Sequence, residues 1–327
     1  MDPLAGLDSA FLSLETGTSR LHVGLVMVLD PPEGRRSLFS PSTRFAQIRR
    51  TLQQRVHLVR PLRQRPVPVP FGLGHPVWAD DPTFELDDHL RRAALPSPGG
   101  PAELDELVAD FMGGALDLDR PLWELMVVEG LAGGRVAVIA KLHHAILDGV
   151  SGAALMSSFL DAGPRDRPAP VFGLGNPPPG PKQHELWWHM ASGLLRVPGT
   201  VRSVIGGGIN VLQHAWEPGG DGARRPLVFG APRTTMNGTI SERRRFATTS
   251  FAREDLELVR RAFGTTQNDV VLAAVSGGVR RLLAARAQPS DRSLVALVPI
   301  STRRRDAHGQ LGNRIAGMLV SLPSTPT

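Results

Sequence analysis

The spacing of apolar positions divides the chain into strands and helices set between proline- and glycine-rich passages. His22 to Leu29 reads as a strand that Pro31-Pro32 stops, and Arg44 to Val59 carries Phe45, Ile48, Leu52 and Val56 at helical spacing. Prolines at 61, 66, 68 and 70 predict an extended, loop-like passage, because each fixes φ and removes a backbone donor. Val77 to Leu86 is weakly strand-like, and Ala102 to Met112 is a helix with Leu104, Leu107, Val108 and Phe111 on one face. Leu122 to Leu131 and Arg135 to His143 are strands on either side of Gly133-Gly134, which reads as a hairpin. Gly152 to Leu160 is again helical, with Ala153, Ala154, Met156 and Phe159 largely on one side.

Seven prolines between 164 and 181 rule out a regular element there and predict a linker or surface crossover. Leu186 to Leu212 is rich in apolar residues, Trp187 and Trp188 among them, and Gly206-Gly207-Gly208 interrupts it. It fits a helical pair packed on the core or an amphipathic surface that touches lipid. Residues 217–238 read as loop. A second domain opens at Thr239, with a strand over Arg245 to Phe251, helices over Arg253 to Phe263 and Asn268 to Ala285, and strands over Ser293 to Ile300 and Arg314 to Leu322. The predicted organisation is an α/β chain with a first domain over 1–163, a linker with a helical segment over 164–238, and a partial second domain over 239–327.

Composition narrows the chemistry. With 327 residues, 41% of them hydrophobic and 21% charged, the chain has the balance of a globular protein able to bury a sizeable core. The absence of cysteine excludes disulfides, thiolate nucleophiles and cysteine-ligated metals. The net charge of +6 rests almost wholly on arginine, since lysine occurs only at 141 and 182. An anionic partner or a codon bias towards arginine would each produce that. The arginine clusters are scattered, and without any tyrosine a base-stacking surface for nucleic acid is not expected. An acidic N-terminus and the lack of an apolar run of roughly 20 residues predict a cytoplasmic protein whose membrane contact, if any, is peripheral.

The most informative stretch is the one in which the apolar run Val136 to Leu142 ends on His143-His144, followed by Asp148-Gly149. A strand that delivers imidazole where the chain must turn is well placed for general-base chemistry, because histidine titrates near neutrality. The same residues also fit satisfied core histidines followed by a turn. Two histidines and an aspartate are suitable zinc ligands, but adjacent residues on a strand point to opposite faces, so a metal-dependent hydrolase is the weaker reading. No Gly-x-Ser-x-Gly elbow, Walker sequence or dinucleotide fingerprint occurs. Asn268-Asp269 stands at the start of a helix, where asparagine serves as an N-cap.

Taken together, these residues resemble the bacterial wax ester synthase/acyl-CoA:diacylglycerol acyltransferase family. The His-His-x-x-x-Asp-Gly signature runs from His143 to Gly149, Pro-Leu-Trp is Pro121-Leu122-Trp123, and Asn-Asp is Asn268-Asp269. Leu7-Asp8-Ser9-Ala10-Phe11-Leu12, His22-Val23-Gly24, Val298-Pro299-Ile300-Ser301 and Leu311-Gly312-Asn313-Arg314 fit as well, so the resemblance covers nearly the whole chain. It implies a chloramphenicol acetyltransferase-like fold of two α/β domains, with the second domain cut short here relative to the family. It also implies an O-acyltransferase that makes triacylglycerol or wax esters from diacylglycerol or a long-chain alcohol. Acyl-CoA would be the co-substrate, with no permanently bound cofactor or metal. His144 would be the general base and His143 its support, while Asp148 and Gly149 would hold the loop. Asn268 and Asp269, with Pro121, Leu122 and Trp123, would be positioning or structural. Contact with a membrane or lipid droplet would be peripheral. The competing reading is a truncated, non-catalytic homologue that binds lipid or a partner subunit.

Overall fold

The computed structural model describes residues 2–4, 6–31, 41–146, 159–160, 180–192, 231–288, 293–301 and 315–322. These fall into two compact units. Described residues up to 192, together with 241–248, form the first; 231–240, 249–288 and the strands after 293 form the second.

The first unit opens with the short strand β1 (Asp2–Pro3), helix α1 (Gly6–Leu14), strand β2 (His22–Leu29) and helix α2 (Pro41–Arg55). Strands β3 (Gln64–Val67), β4 (Val77–Asp80) and β5 (Leu90–Ala94) follow, then helix α3 (Pro101–Gly113), strands β6 (Trp123–Leu131) and β7 (Arg135–His143), and a helix over 183–192, α4. The principal sheet has the order β2-β7-β6-β5. The predicted hairpin forms: β6 and β7 pair antiparallel around the Ala132–Gly134 turn, where Gly133 takes φ 75°. β2 pairs antiparallel with the other edge of β7, from His22 opposite His143 to Leu29 opposite Val136.

Because side chains alternate along a strand, β7 presents two different faces. Val136, Val138, Ala140 and Leu142 join Trp123, Leu125 and Val127 in the larger core cluster, against α2 residues such as Leu52. Ala137 and Ile139 face the smaller cluster under α3, with Val108, Phe111 and Val128. Lys141 and His143 share the parity of this second face, which explains their burial at a site otherwise made of hydrocarbon.

Among the strands of the first unit, three differ from the sequence reading. The proline passage contains β3, which pairs with β4 in the order β1-β4-β3. Pro66, opposite Trp78, is tolerated because β3 is an edge strand, where a missing N–H breaks no second ladder. The strand expected over Val77 to Leu86 ends at Asp80, where Asp81 Oδ1 accepts from the Thr83 amide and hydroxyl to make a turn. β5 was hidden by its composition: Leu90-Arg91-Arg92-Ala93-Ala94 has no apolar alternation, yet it pairs parallel with β6 through the α3 crossover.

In the second unit, helix α5 (Arg253–Phe263) ends on left-handed Gly264, and helix α6 (Gln267–Ala285) follows. Strands β8 (Leu294–Ser301) and β9 (Ile315–Leu322) pair antiparallel. Residues 245–251, expected as a strand, adopt no regular element, and 241–248 belong to the first unit. Of the expected Leu186 to Leu212 helical pair, the part up to 192 falls in α4 and the remainder lies outside the described residues, as does most of the expected 152–160 helix.

Candidate active site

The strand end that carries the histidine pair is held from both sides. The His143 amide donates to Leu122 O (3.0 Å) on the β6 side, and the His144 amide donates to Leu21 O (2.9 Å) on the β2 side. Successive amides of an extended chain point in opposite directions, so the two bonds fix the peptide plane between the rings. The Pro121-Leu122-Trp123 run supplies one of these clamps. Leu122 is fully buried, and the Trp123 indole N–H donates to Leu62 O (2.8 Å). The indole ring also stacks on His89 at 4.6 Å between centroids.

His143 is completely enclosed, at 0% exposure. Its Nδ1 accepts from the Ala145 amide (3.0 Å), and its Nε2 lies 2.9 Å from Glu15 Oε2. A nitrogen that accepts an amide hydrogen bond carries no proton, so the ring is the neutral Nε2–H tautomer and donates to the carboxylate. Burial pushes its pKa below 6.5, against the raising effect of Glu15. With both nitrogens engaged, His143 has no lone pair left for a substrate proton or a metal ion. Glu15 lies just beyond α1 and is in turn 3.8 Å from Arg20. Nothing in its sequence neighbourhood singled it out; it follows only from the register that sets His22 opposite His143.

Beside this pair sits a second buried polar assembly. Lys141, 1% exposed, spends its three donors on Glu124 Oε2 (2.8 Å), Phe111 O (3.1 Å) and Gly114 O (3.2 Å). Burial works against the Glu124 charge, but hydrogen bonds from Arg91 and Lys141 outweigh it and hold the carboxyl below the usual range. His22 bonds Met112 O through Nε2 (2.8 Å), and burial keeps its pKa low.

His144 is different in kind. It lies at the turn, is half-buried, and has the Phe11 ring 5.2 Å away between centroids. Burial pushes its pKa below 6.5, so at neutral pH the imidazole is uncharged. Asp148 and Gly149 lie outside the described residues. Among the described residues no group of three or more histidines, aspartates or glutamates is placed to hold a metal ion.

In the second unit, the N-cap of α6 is Thr266 rather than Asn268. The Thr266 hydroxyl accepts from the Asp269 amide, and the Thr266 amide donates to Asp269 Oδ2 (2.8 Å), which makes a capping box. A threonine two residues earlier, with an acid at the third helical position, outcompetes asparagine for the cap. Hydrogen bonds from the Thr266 hydroxyl and amide lower the Asp269 pKa. Asn268 is exposed in the first turn.

Comparison with known proteins places this arrangement. The family profile of the wax ester synthase/diacylglycerol acyltransferase catalytic domain matches residues 4–271. The Mycobacterium tuberculosis protein Rv3087, named as a diacylglycerol O-acyltransferase, is 37% identical over 96% of the chain and 66% of its own length. Its compatriot tgs2, similarly named, is 33% identical over 98% of the chain and 69% of its own length. The chain thus spans about two thirds of the length of the relatives it matches. Among solved structures, the wax ester synthase/diacylglycerol acyltransferase from Marinobacter aquaeolei VT8 superposes with a TM-score of 0.63 at 30% identity, over 92% of this chain and 64% of that one. The first condensation domain of the calcium-dependent antibiotic synthetase, at 17% identity and a TM-score of 0.55, shares the fold, which is of the chloramphenicol acetyltransferase type expected from the sequence. The chain belongs to the wax ester synthase/diacylglycerol acyltransferase family.

Proposed function

We propose that the chain is an acyl-CoA-dependent O-acyltransferase that forms triacylglycerol from diacylglycerol, or wax ester from a long-chain alcohol. The observation that carries this reading is the division of labour between the adjacent imidazoles. His143 is locked neutral with both nitrogens bonded, while His144 sits half-exposed at the same clamped strand end with a depressed pKa. His144 takes the proton of the acceptor hydroxyl as its oxygen attacks the thioester carbonyl. The new C–O bond forms, the C–S bond breaks, and the CoA thiolate leaves with the proton from the imidazolium. No covalent acyl-enzyme is needed, which agrees with a chain that has no cysteine. Acyl-CoA is a co-substrate, and no permanently bound cofactor takes part. Asp148 and Gly149 support the loop after the histidines. Pro121, Leu122 and Trp123 hold the strand end. Asp269 closes the capping box at the start of α6 with Thr266, and Asn268 beside it takes a positioning role.

A second reading, a lipid-binding homologue without turnover, draws on one surface. Phe71 is 80% exposed with φ 58°, Trp188 is 73% exposed, and the Phe71 and Trp187 rings meet edge to face at 5.5 Å. Exposed aromatic rings of this kind suit a peripheral contact with a membrane or lipid droplet. No helix among the described residues is long and apolar enough to cross a membrane. Release of CoA from palmitoyl-CoA on addition of diacylglycerol or hexadecanol, measured beside flotation with phospholipid vesicles, separates the readings. Turnover supports the enzyme, and flotation without turnover supports the lipid binder.

A further inference from the structure

The face of the principal sheet opposite the Lys141 assembly contains a cavity of about 230 Å³ between β2, β7, β6 and helix α2. Its floor is Met27, Val138, Ala140 and Leu142, and Ile48 and Leu52 of α2 form its roof. The polar groups in the lining are Gln47, Thr51, Glu124 and the Trp123 indole. The indole N–H bonds Leu62 O, the Thr51 hydroxyl bonds Gln47 O, and the Glu124 carboxylate is paired with Arg91 and Lys141, while the remainder of the wall is apolar. A wall of this chemistry suits hydrocarbon.

The cavity is connected to His144 by register. Leu142 lies one residue inside the end of β7 and His144 just past it, and Val23 and Leu25 of β2 lie directly opposite Leu142 and Ala140. Val23 and Leu25 are 42% and 36% exposed. An open apolar strip therefore runs from the strand end beside His144 towards the cavity. Resting on the acyl-transfer reading above, we propose that the acyl chain of the thioester lies along this strip and buries its distal half in the cavity. A space of this size admits a single linear chain, whereas a diacylglycerol brings two side by side. With diacylglycerol as acceptor the donor chain is therefore the one assigned here, and the alcohol-length comparison below tests the assignment against a long-chain alcohol.

The geometry sets a ruler. At roughly 3.3 Å per strand residue, Ala140 lies about 13 Å and Val138 about 20 Å from His144. An all-trans alkyl chain with C–C bonds of about 1.5 Å advances roughly 1.3 Å per carbon, which places Ala140 near the tenth carbon and Val138 near the fifteenth. Filling the space at Ala140 should spare an octanoyl chain and block a palmitoyl chain.

The test compares the wild-type chain with Ala140→Phe, which fills the cavity from the sheet, and Thr51→Phe, which fills it from α2. Rates with octanoyl-CoA and palmitoyl-CoA are taken at a fixed acceptor, and binding of cis-parinaric acid is followed by fluorescence. Octanoyl-CoA turnover should be unchanged, which also shows that the variants fold. Since each buried methylene is worth about fourfold in affinity, kcat/KM for palmitoyl-CoA and affinity for parinaric acid should both fall about tenfold or more. Identical chain-length profiles in wild type and both variants overturn the assignment, as does a shift that follows the length of the alcohol instead. The binding arm needs no turnover: an inactive wild type strikes at the acyl-transfer reading, whereas undiminished parinaric acid binding in both variants strikes at the cavity.

Discussion

Replacing Glu15 by alanine probes the hidden half of the site. In the wild type the Glu15 carboxylate accepts from His143 Nε2–H at 2.9 Å, with the imidazole fully buried and the Glu15 side chain only 9% exposed. Solvent screening at such a position is small. A hydrogen bond to a charged partner contributes about 1.5–3 kcal/mol, and a buried donor left alone costs about 1–3 kcal/mol; the two figures describe the same event from different sides. A local loss of about 2 kcal/mol is therefore expected. His143 Nδ1 accepts from the Ala145 amide, so the loss should appear there and at the neighbouring His143 and His144 amides. Hydrogen exchange at these positions should accelerate about thirtyfold if local opening limits it. Turnover should fall with it, while the KM for acyl-CoA stays unchanged, because Glu15 acts through the strand end rather than on the substrate. Glu15→Gln, which keeps an acceptor, should restore most of both. Wild-type exchange rates in Glu15→Ala would refute the reasoning and reduce the ion pair to a bystander.

Two further outcomes follow from the buried polar groups. Lys141→Met leaves Glu124 with Arg91 alone and strands the Phe111 and Gly114 carbonyls, and should cost about 3–5 kcal/mol in urea denaturation. Adding Glu124→Leu should recover most of that, because the remaining Arg91 is 55% exposed and keeps its water; a double variant no better than the single one would contradict the pairing. His22, His89 and His143 are held below 6.5 chiefly by burial, so the unfolded chain binds protons that the folded one refuses. Stability should therefore be full above about pH 7 and decline as the pH falls through about 6.5 and below. Thermal melts at about pH 7.5 and 5.5 check this, and a melting temperature that rises on acidification would have the wrong sign.

The sequence was most readable where burial imposes a single period. β2, β6, β7 and α3 carry continuous or regularly spaced apolar residues, and each forms close to its expected bounds. β5 and β3 escaped because edge strands need no apolar alternation: Arg91 and Arg92 face solvent far enough to pair with Glu124 and Glu129, and Pro66 sits where no partner requires its N–H. At the site, the inequality of His143 and His144 came from family resemblance, whereas its cause is tertiary. Glu15 and the Ala145 amide together occupy one ring, and no spacing in the sequence connects residues 15 and 143. The α6 cap failed for a local reason, since Thr266 and Asp269 form a reciprocal pair that Asn268 cannot match.

The central claim is that His144 removes the acceptor proton from a clamped strand end while His143 holds the turn. It is tested most directly by CoA release from palmitoyl-CoA with diacylglycerol, measured for wild type and His144→Ala across pH. General-base catalysis supplies about 10²–10⁴ in rate, so the variant should lose about that much. The wild-type acid limb should lie below pH 6.5, where burial has moved the imidazole. Equal CoA release by wild type and His144→Ala would contradict the account.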